Sequence, residues 1–175
     1  HSWRLGMLVI LLADQLSRKI DLKKALKMVL IHDLAEIYAG DASPLGNDGT
    51  GKNVHSFNKA KAKERHIEER KAVSKIFKML PANMAKKYFD LWLEYDRQKN
   101  FEAKVVRALD KIEALLQVLE YRRGYIFPAH LKFNSNYSLK GSEIDPAIAQ
   151  FGNYVANQMK ILVAADGFRF TRQAV

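Results

Sequence analysis

The sequence contains no cysteine. Disulfides and thiolate-held metals are therefore excluded, and any bound metal must rest on His, Asp, Glu, carbonyl or water ligands. Long hydrophobic runs are also missing: charges interrupt the apolar stretches within about a dozen residues, short of the ~20 that a bilayer requires. The opening residues carry no signal-peptide pattern, so the expectation is a cytoplasmic enzyme or binding protein that does not enter a membrane. Acidic residues are in deficit, with 19 Asp and Glu against 29 Lys and Arg, which leaves a net charge of +10. Such a balance suits an anionic ligand, or nucleic acid if the cations form a stripe. Here they are spread along helix faces without an RNA-binding aromatic signature. Nucleic acid is therefore disfavoured as principal partner, and a basic solvated surface is the simplest account.

What is present reads as helix. No alternating strand pattern, hairpin signal or internal repeat occurs. At 175 residues, 48% apolar, the chain is long enough for one domain with a sizeable core. Leu5, Leu8, Leu12 and Leu16 form the stripe of a first helix over residues 1–19, and His1 falls on the same stripe. A helix already on its buried face at its first residue is expected to lack a helical segment upstream. Asp21 is the expected N-cap of a second helix over 22–38, which Gly40 ends. Residues 41–57, rich in Gly, Asn, Asp, Ser and Pro, read as a loop. A third helix spans 58–80 with Ile67, Val73, Ile76, Phe77 and Leu80 inward. Pro81 opens a fourth, reaching Arg97, with Tyr88, Leu91, Trp92 and Tyr95 inward. The fifth, over 101–123, has two faces. One carries Phe101, Val105, Ala108, Ile112, Leu115 and Leu119. The other is a narrower strip of Ala103, Val106, Asp110, Ala114, Gln117 and Tyr121, flanked by Glu102, Arg107, Lys111 and Glu113. A helix apolar on both sides belongs in the middle of a bundle. Gly124 ends it, 125–141 reads as a loop, and a last helix runs over 145–165. The expected fold is all-α, one domain over 1–175.

The stretch 25–41 organises the chemistry. At about 100° per residue, His32, Asp33 and Glu36 share one ~100° arc with Leu22, Ala25, Leu26 and Val29, while Lys23, Lys24 and Lys27 lie opposite. Ionisable groups pointed at a core need partners, commonly each other or a metal. His1 and Asp110 also lie on faces expected to be buried, giving two imidazoles and two carboxylates from three helices. This nitrogen and oxygen set suits a single divalent ion such as Mn²⁺, Co²⁺, Fe²⁺, Ni²⁺, Zn²⁺ or Mg²⁺. Glu36, one turn beyond His32, is placed to orient a water or take its proton. A buried histidine is nonetheless more often hydrogen-bonded than metal-bound, and on spacing alone both readings stay open.

The combined motifs carry a resemblance. Ile-His-Asp-Leu-Ala-Glu-Ile-Tyr-Ala-Gly-Asp follows a His-Ser opening. It precedes Leu-Trp-Leu-Glu-Tyr-Asp and then Glu-Ala-Lys-Val-Val-Arg-Ala-Leu-Asp-Lys-Ile-Glu-Ala-Leu-Leu-Gln. Together these resemble the HD-domain phosphohydrolases over residues 1–123, and more narrowly their 5′-deoxynucleotidase branch. The resemblance implies an HD-domain helical bundle with His1, His32, Asp33 and Asp110 as metal ligands. Glu36 would position the attacking water, and Asp41 would lie near the sugar. It further implies hydrolysis of deoxyribonucleoside 5′-monophosphates and a homodimer. The branch's arginine and aromatic upstream of the first histidine have no counterpart within these 175 residues, and the segment 47–57 is longer than usual for it. Arg4 and Lys111 are the nearby cations that could meet phosphate. Two other readings follow from the same residues. One is an HD hydrolase acting on an alarmone, a cyclic nucleotide or a nucleoside triphosphate. The other is a non-catalytic basic helical module that binds nucleic acid or protein.

Overall fold

The computed structural model describes residues 1–44, 46, 53–121 and 137–172. Gly124 lies outside the described residues, as do 45 and 47–52 of the first expected loop and 125–136 of the second. Within them the chain is helical, with no strand. The α-helices are α1 (Ser2–Ala13), α2 (Leu22–Ile31), α3 (Glu36–Ala39), α4 (Lys59–Phe77), α5 (Ala82–Asp96), α6 (Phe101–Tyr121) and α7 (Pro146–Arg172). Short 3₁₀ segments cover His32–Ala35 and Ser142–Ile144. The chain groups into two compact units: His1–Lys19 with Arg107–Val175, and Ile20–Val106.

The unit Ile20–Val106 is built from α2 to α5 with the start of α6. Asp21 caps α2 as expected, its side chain accepting from the Lys24 N–H at 2.9 Å. Asn58 does the same for α4, accepting from the N–H groups of Ala60 and Lys61. Each cap satisfies donors that a helix start otherwise leaves orphaned. Ile31, Ala35, Ala72, Val73, Phe77 and Trp92 form one core cluster, with Leu34, Tyr88, Phe89 and Leu91 packed around it. Ile67 and Leu80 were expected inward but are exposed. For Leu80 the reason is that α4 stops at Phe77, three residues early. The second helix also differs from a single run over 22–38. It tightens into 3₁₀ geometry at His32 before resuming as α3, and Gly40 ends it at a φ of 78°, a conformation that suits a residue without Cβ.

The other unit holds α1, most of α6, and α7. Leu5, Val9, Leu109, Ile112, Leu115, Ile148, Val155 and Met159 are among its buried apolar side chains. The first helix ends at Ala13, six residues before the expected limit, because Ser17 is drawn away from helical pairing. Its N–H and hydroxyl both donate to Asp145 Oδ2, at 2.8 and 2.5 Å. Asp145 is fully buried. Although burial pushes its carboxyl upward, the Ser17 donors and the Ala147 N–H hold it below the usual carboxylate range. On α7, Gly152 permits a close approach. A Cβ there would sit 3.1 Å from both Ile112 Cδ1 and Leu139 Cδ2. Gly152→Val is therefore expected to lower unfolding stability by about 1–3 kcal/mol through overpacking, measured by urea denaturation. Gly152→Ala should be near neutral, since its gain in helix propensity of ~1 kcal/mol offsets the milder crowding.

Candidate metal centre

In the unit Ile20–Val106, the 3₁₀ turn places His32 and Asp33 together. Only 5% of His32 is exposed. Its Nδ1 lies 2.7 Å from the Val29 carbonyl. A carbonyl can only accept, so Nδ1 carries the proton, and in the neutral ring Nε2 carries the lone pair. That Nε2 faces Asp33 Oδ1 at 3.0 Å. Two electron-pair donors at this separation repel unless a cation, a proton or a metal ion, lies between them. The ring is steadied from outside the pair. Trp92 Nε1–H donates to the His32 carbonyl at 3.3 Å, and Tyr95 meets the imidazole edge-on with centroids 5.5 Å apart.

The same device recurs in the other unit. His1 Nε2 faces Asp110 Oδ1 at 3.2 Å, while His1 Nδ1 faces the carboxylate of Glu113. Asp110 first, and then Glu113, raise the His1 pKa to about 10. Each histidine thus has one nitrogen committed to an acceptor and the other aimed at an aspartate. This is the arrangement in which an outer partner fixes the tautomer of a metal-binding imidazole. Each pair offers one nitrogen and carboxylate oxygen, so the chemistry of each fits a divalent cation.

Glu36, on α3, is one-third exposed, with Arg65 Nη2 at 3.5 Å from Oε1. Burial raises its pKa to about 7, helped by the nearby charges of Asp33 and Asp41 and opposed by Arg65 and His32. A carboxyl poised near neutrality can both hold and release a proton at working pH. Asp41 stands two residues past the end of α3 and is exposed. Lys111 sits over the Tyr137 ring, with Nζ 4.8 Å from its centroid and 3.3 Å from the Lys140 carbonyl. Burial, then the like charges of Arg107 and Lys140, lower its pKa to about 8. Arg4 is already committed. Its Nε–H donates to Glu113 Oε1 at 2.6 Å and its Nη1 pairs with Glu120.

Two features escape the periodicity of the sequence. Glu113, expected on the flank of α6, is completely buried. Despite that burial, His1 and Arg4 hold its carboxyl below the ordinary range. A second cluster joins α4 to α5, where His66 Nδ1 lies 2.8 Å from Asp96 Oδ1, and ligand atoms of His66, Glu69 and Asp96 fall within 4.8 Å of one another. Arg65 already engages Glu69 at 2.5 Å. The adjoining groove of about 370 Å³ is lined by Lys59, Lys63, Arg70 and Arg97. Those cations make the cluster a poorer host for a metal than the histidine–aspartate pairs.

Comparison with known proteins identifies the lineage. The HD domain family model matches residues 1–151. The chain is 30% identical to the 5′-deoxynucleotidase HDDC2 of Xenopus laevis over 95% of this chain and 75% of that protein. It is likewise 30% identical to the human 5′-deoxynucleotidase HDDC2, over 69% of this chain and 52% of that protein. The chain thus spans about half the length of the human relative. In structure it is similar to a predicted metal-dependent phosphohydrolase from Magnetospirillum magnetotacticum, with a TM-score of 0.68 and 26% identity over 96% of this chain and 77% of the other. The matched span contains His1, the His32–Asp33 pair and Asp110, and this chain belongs to the HD domain family.

Proposed function

We propose that the chain is a metal-dependent phosphohydrolase that converts deoxyribonucleoside 5′-monophosphates to nucleoside and phosphate. The observation that carries the reading is the matched pair of histidine–aspartate contacts, His32 with Asp33 and His1 with Asp110, each with the second imidazole nitrogen occupied by an acceptor. The names of the relatives, 5′-deoxynucleotidases, support the substrate class. In this reading the four residues hold one divalent ion. When bound, that ion supplies Lewis acidity toward a phosphoryl oxygen and toward water.

The remaining work falls to the chain's own side chains. Glu36 takes the proton of the attacking water and holds it until the leaving 5′-oxygen needs one. Lys111 is the better phosphate partner of the two cations, because the Arg4 guanidinium already faces Glu113 and Glu120. Asp41 accepts a hydrogen bond from the sugar. A homodimer is part of the same family reading, and the exposed Trp3 and Leu11 of α1 offer apolar area for such an interface.

The test is a panel of deoxyribonucleoside and ribonucleoside monophosphates, nucleoside triphosphates, cyclic nucleotides and alarmones. Each is assayed after chelation and after return of Mn²⁺, Co²⁺ or Ni²⁺. Phosphate release from the deoxyribonucleoside monophosphates is expected, abolished by chelator and restored by metal. Hydrolysis confined to another nucleotide class would transfer the reading to that class. Release of no phosphate from any substrate in the metal-loaded protein would overturn it.

A further inference from the structure

The Glu113 carboxylate is buried without contact to solvent, in a position where an unpaired charge would be strongly destabilising. It meets two groups from the start of the chain. Oε1 accepts from Arg4 Nε–H at 2.6 Å, and Oε2 faces His1 Nδ1. Arg4 is itself held on its other side by Glu120, and its guanidinium carbon lies 6.0 Å from the centre of the Tyr121 ring. The result is a relay Glu120–Arg4–Glu113–His1 that ends on the imidazole. Beyond it, His1 Nε2 points at Asp110.

From this geometry we infer that Glu113 is a positioning residue that fixes His1 with the proton on Nδ1 and the Nε2 lone pair directed to the metal. The inference rests on the metal-site reading above. Two alternatives compete with it. Glu113 could serve only to neutralise Arg4, or only to add negative charge that draws a cation inward. Neither requires the second carboxylate oxygen to face Nδ1. Arg4, moreover, already has Glu120 as a partner. An outer carboxylate on a metal-binding histidine typically changes metal affinity by about 10–100-fold when removed.

Two substitutions separate reach from charge. Glu113→Asp keeps the charge but withdraws the carboxylate by one methylene. Glu113→Gln loses the charge but keeps an acceptor oxygen at the same reach for Nδ1–H. The readouts are Mn²⁺ affinity by calorimetry, the Co²⁺ visible spectrum, and the thermal midpoint as a check on folding. The expected result is that Glu113→Asp weakens Mn²⁺ binding about 10–100-fold and alters the Co²⁺ spectrum, whereas Glu113→Gln stays within a few-fold of wild type despite a lower thermal midpoint. Wild-type affinity in Glu113→Asp, or affinity kept by Asp and lost by Gln, would overturn the positioning role while leaving the metal site standing. Absence of Mn²⁺ binding in the wild-type protein would instead remove the metal-site reading, and this inference with it.

Discussion

Asp33→Ala and Asp110→Ala are each expected to abolish metal retention and to reduce turnover by about 10³-fold or more, as removal of several kcal/mol of metal-derived stabilisation requires. The magnitude follows from the contacts. Asp33 is the carboxylate on His32 Nε2 and Asp110 the one on His1 Nε2, so either substitution leaves its imidazole without the anionic half of its pair. Both aspartates are partly exposed, with 39% and 19% of their side chains accessible. Neither is therefore a core residue whose loss would collapse the helices. Thermal unfolding separates the loss of metal from the loss of fold. A ligand that binds only the native state stabilises it by about 2.7 kcal/mol at a concentration of 100 Kd. Saturating Mn²⁺ should accordingly raise the wild-type midpoint by several degrees and leave both variants unmoved, with all three proteins coinciding in chelator. A variant that still showed the wild-type shift would not have lost a ligand.

How much of this was legible in the sequence depends on which force placed each residue. The helices were, because α2, α4, α5 and α6 bury apolar side chains at helical spacing, and Asp21 and Gly40 mark ends by local chemistry. The burial of His32 was legible for the same reason: it is a polar group on an apolar stripe. Helix lengths were less legible where a distant partner intervened. Nothing near Ser17 announces that Asp145, more than a hundred residues on, takes its N–H and truncates α1. Glu113 shows the limit most clearly. It sits among charges along α6, and single-helix periodicity counts it as flank. Its burial is made tolerable by His1 and Arg4 on another helix, a compensation that no window along one helix contains. The 3₁₀ tightening at His32–Ala35 was hidden too, since Leu34 and Ala35 fit either helix type. It is that turn that sets Asp33 beside the His32 imidazole rather than further along a regular helix.

Glu36→Gln is expected to lower kcat by about 10²–10⁴-fold, the usual worth of a general base, while leaving metal content intact. The amide matches the carboxyl in size and keeps an acceptor toward Arg65, so packing is little disturbed; what disappears is the capacity to take a proton. The pH profile provides the second half of the test. Burial, together with the charges of Asp33 and Asp41, raises the Glu36 pKa to about 7. The raised value means that the acid form, which cannot act as base, persists to near neutrality. Activity should consequently climb with rising pH and level off once the carboxylate predominates. A divalent ion held by the neighbouring Asp33 favours the carboxylate, so in the metal-loaded enzyme the inflection belongs at or below about 7, never above. In Glu36→Gln the residual rate should lose this rising limb. If instead it kept a limb of the same midpoint, the titrating group would be the substrate phosphate, and Glu36 would be reduced to orienting the water. A variant with wild-type kcat would remove Glu36 from the chemistry altogether and leave the proton to be taken by a group other than this carboxylate.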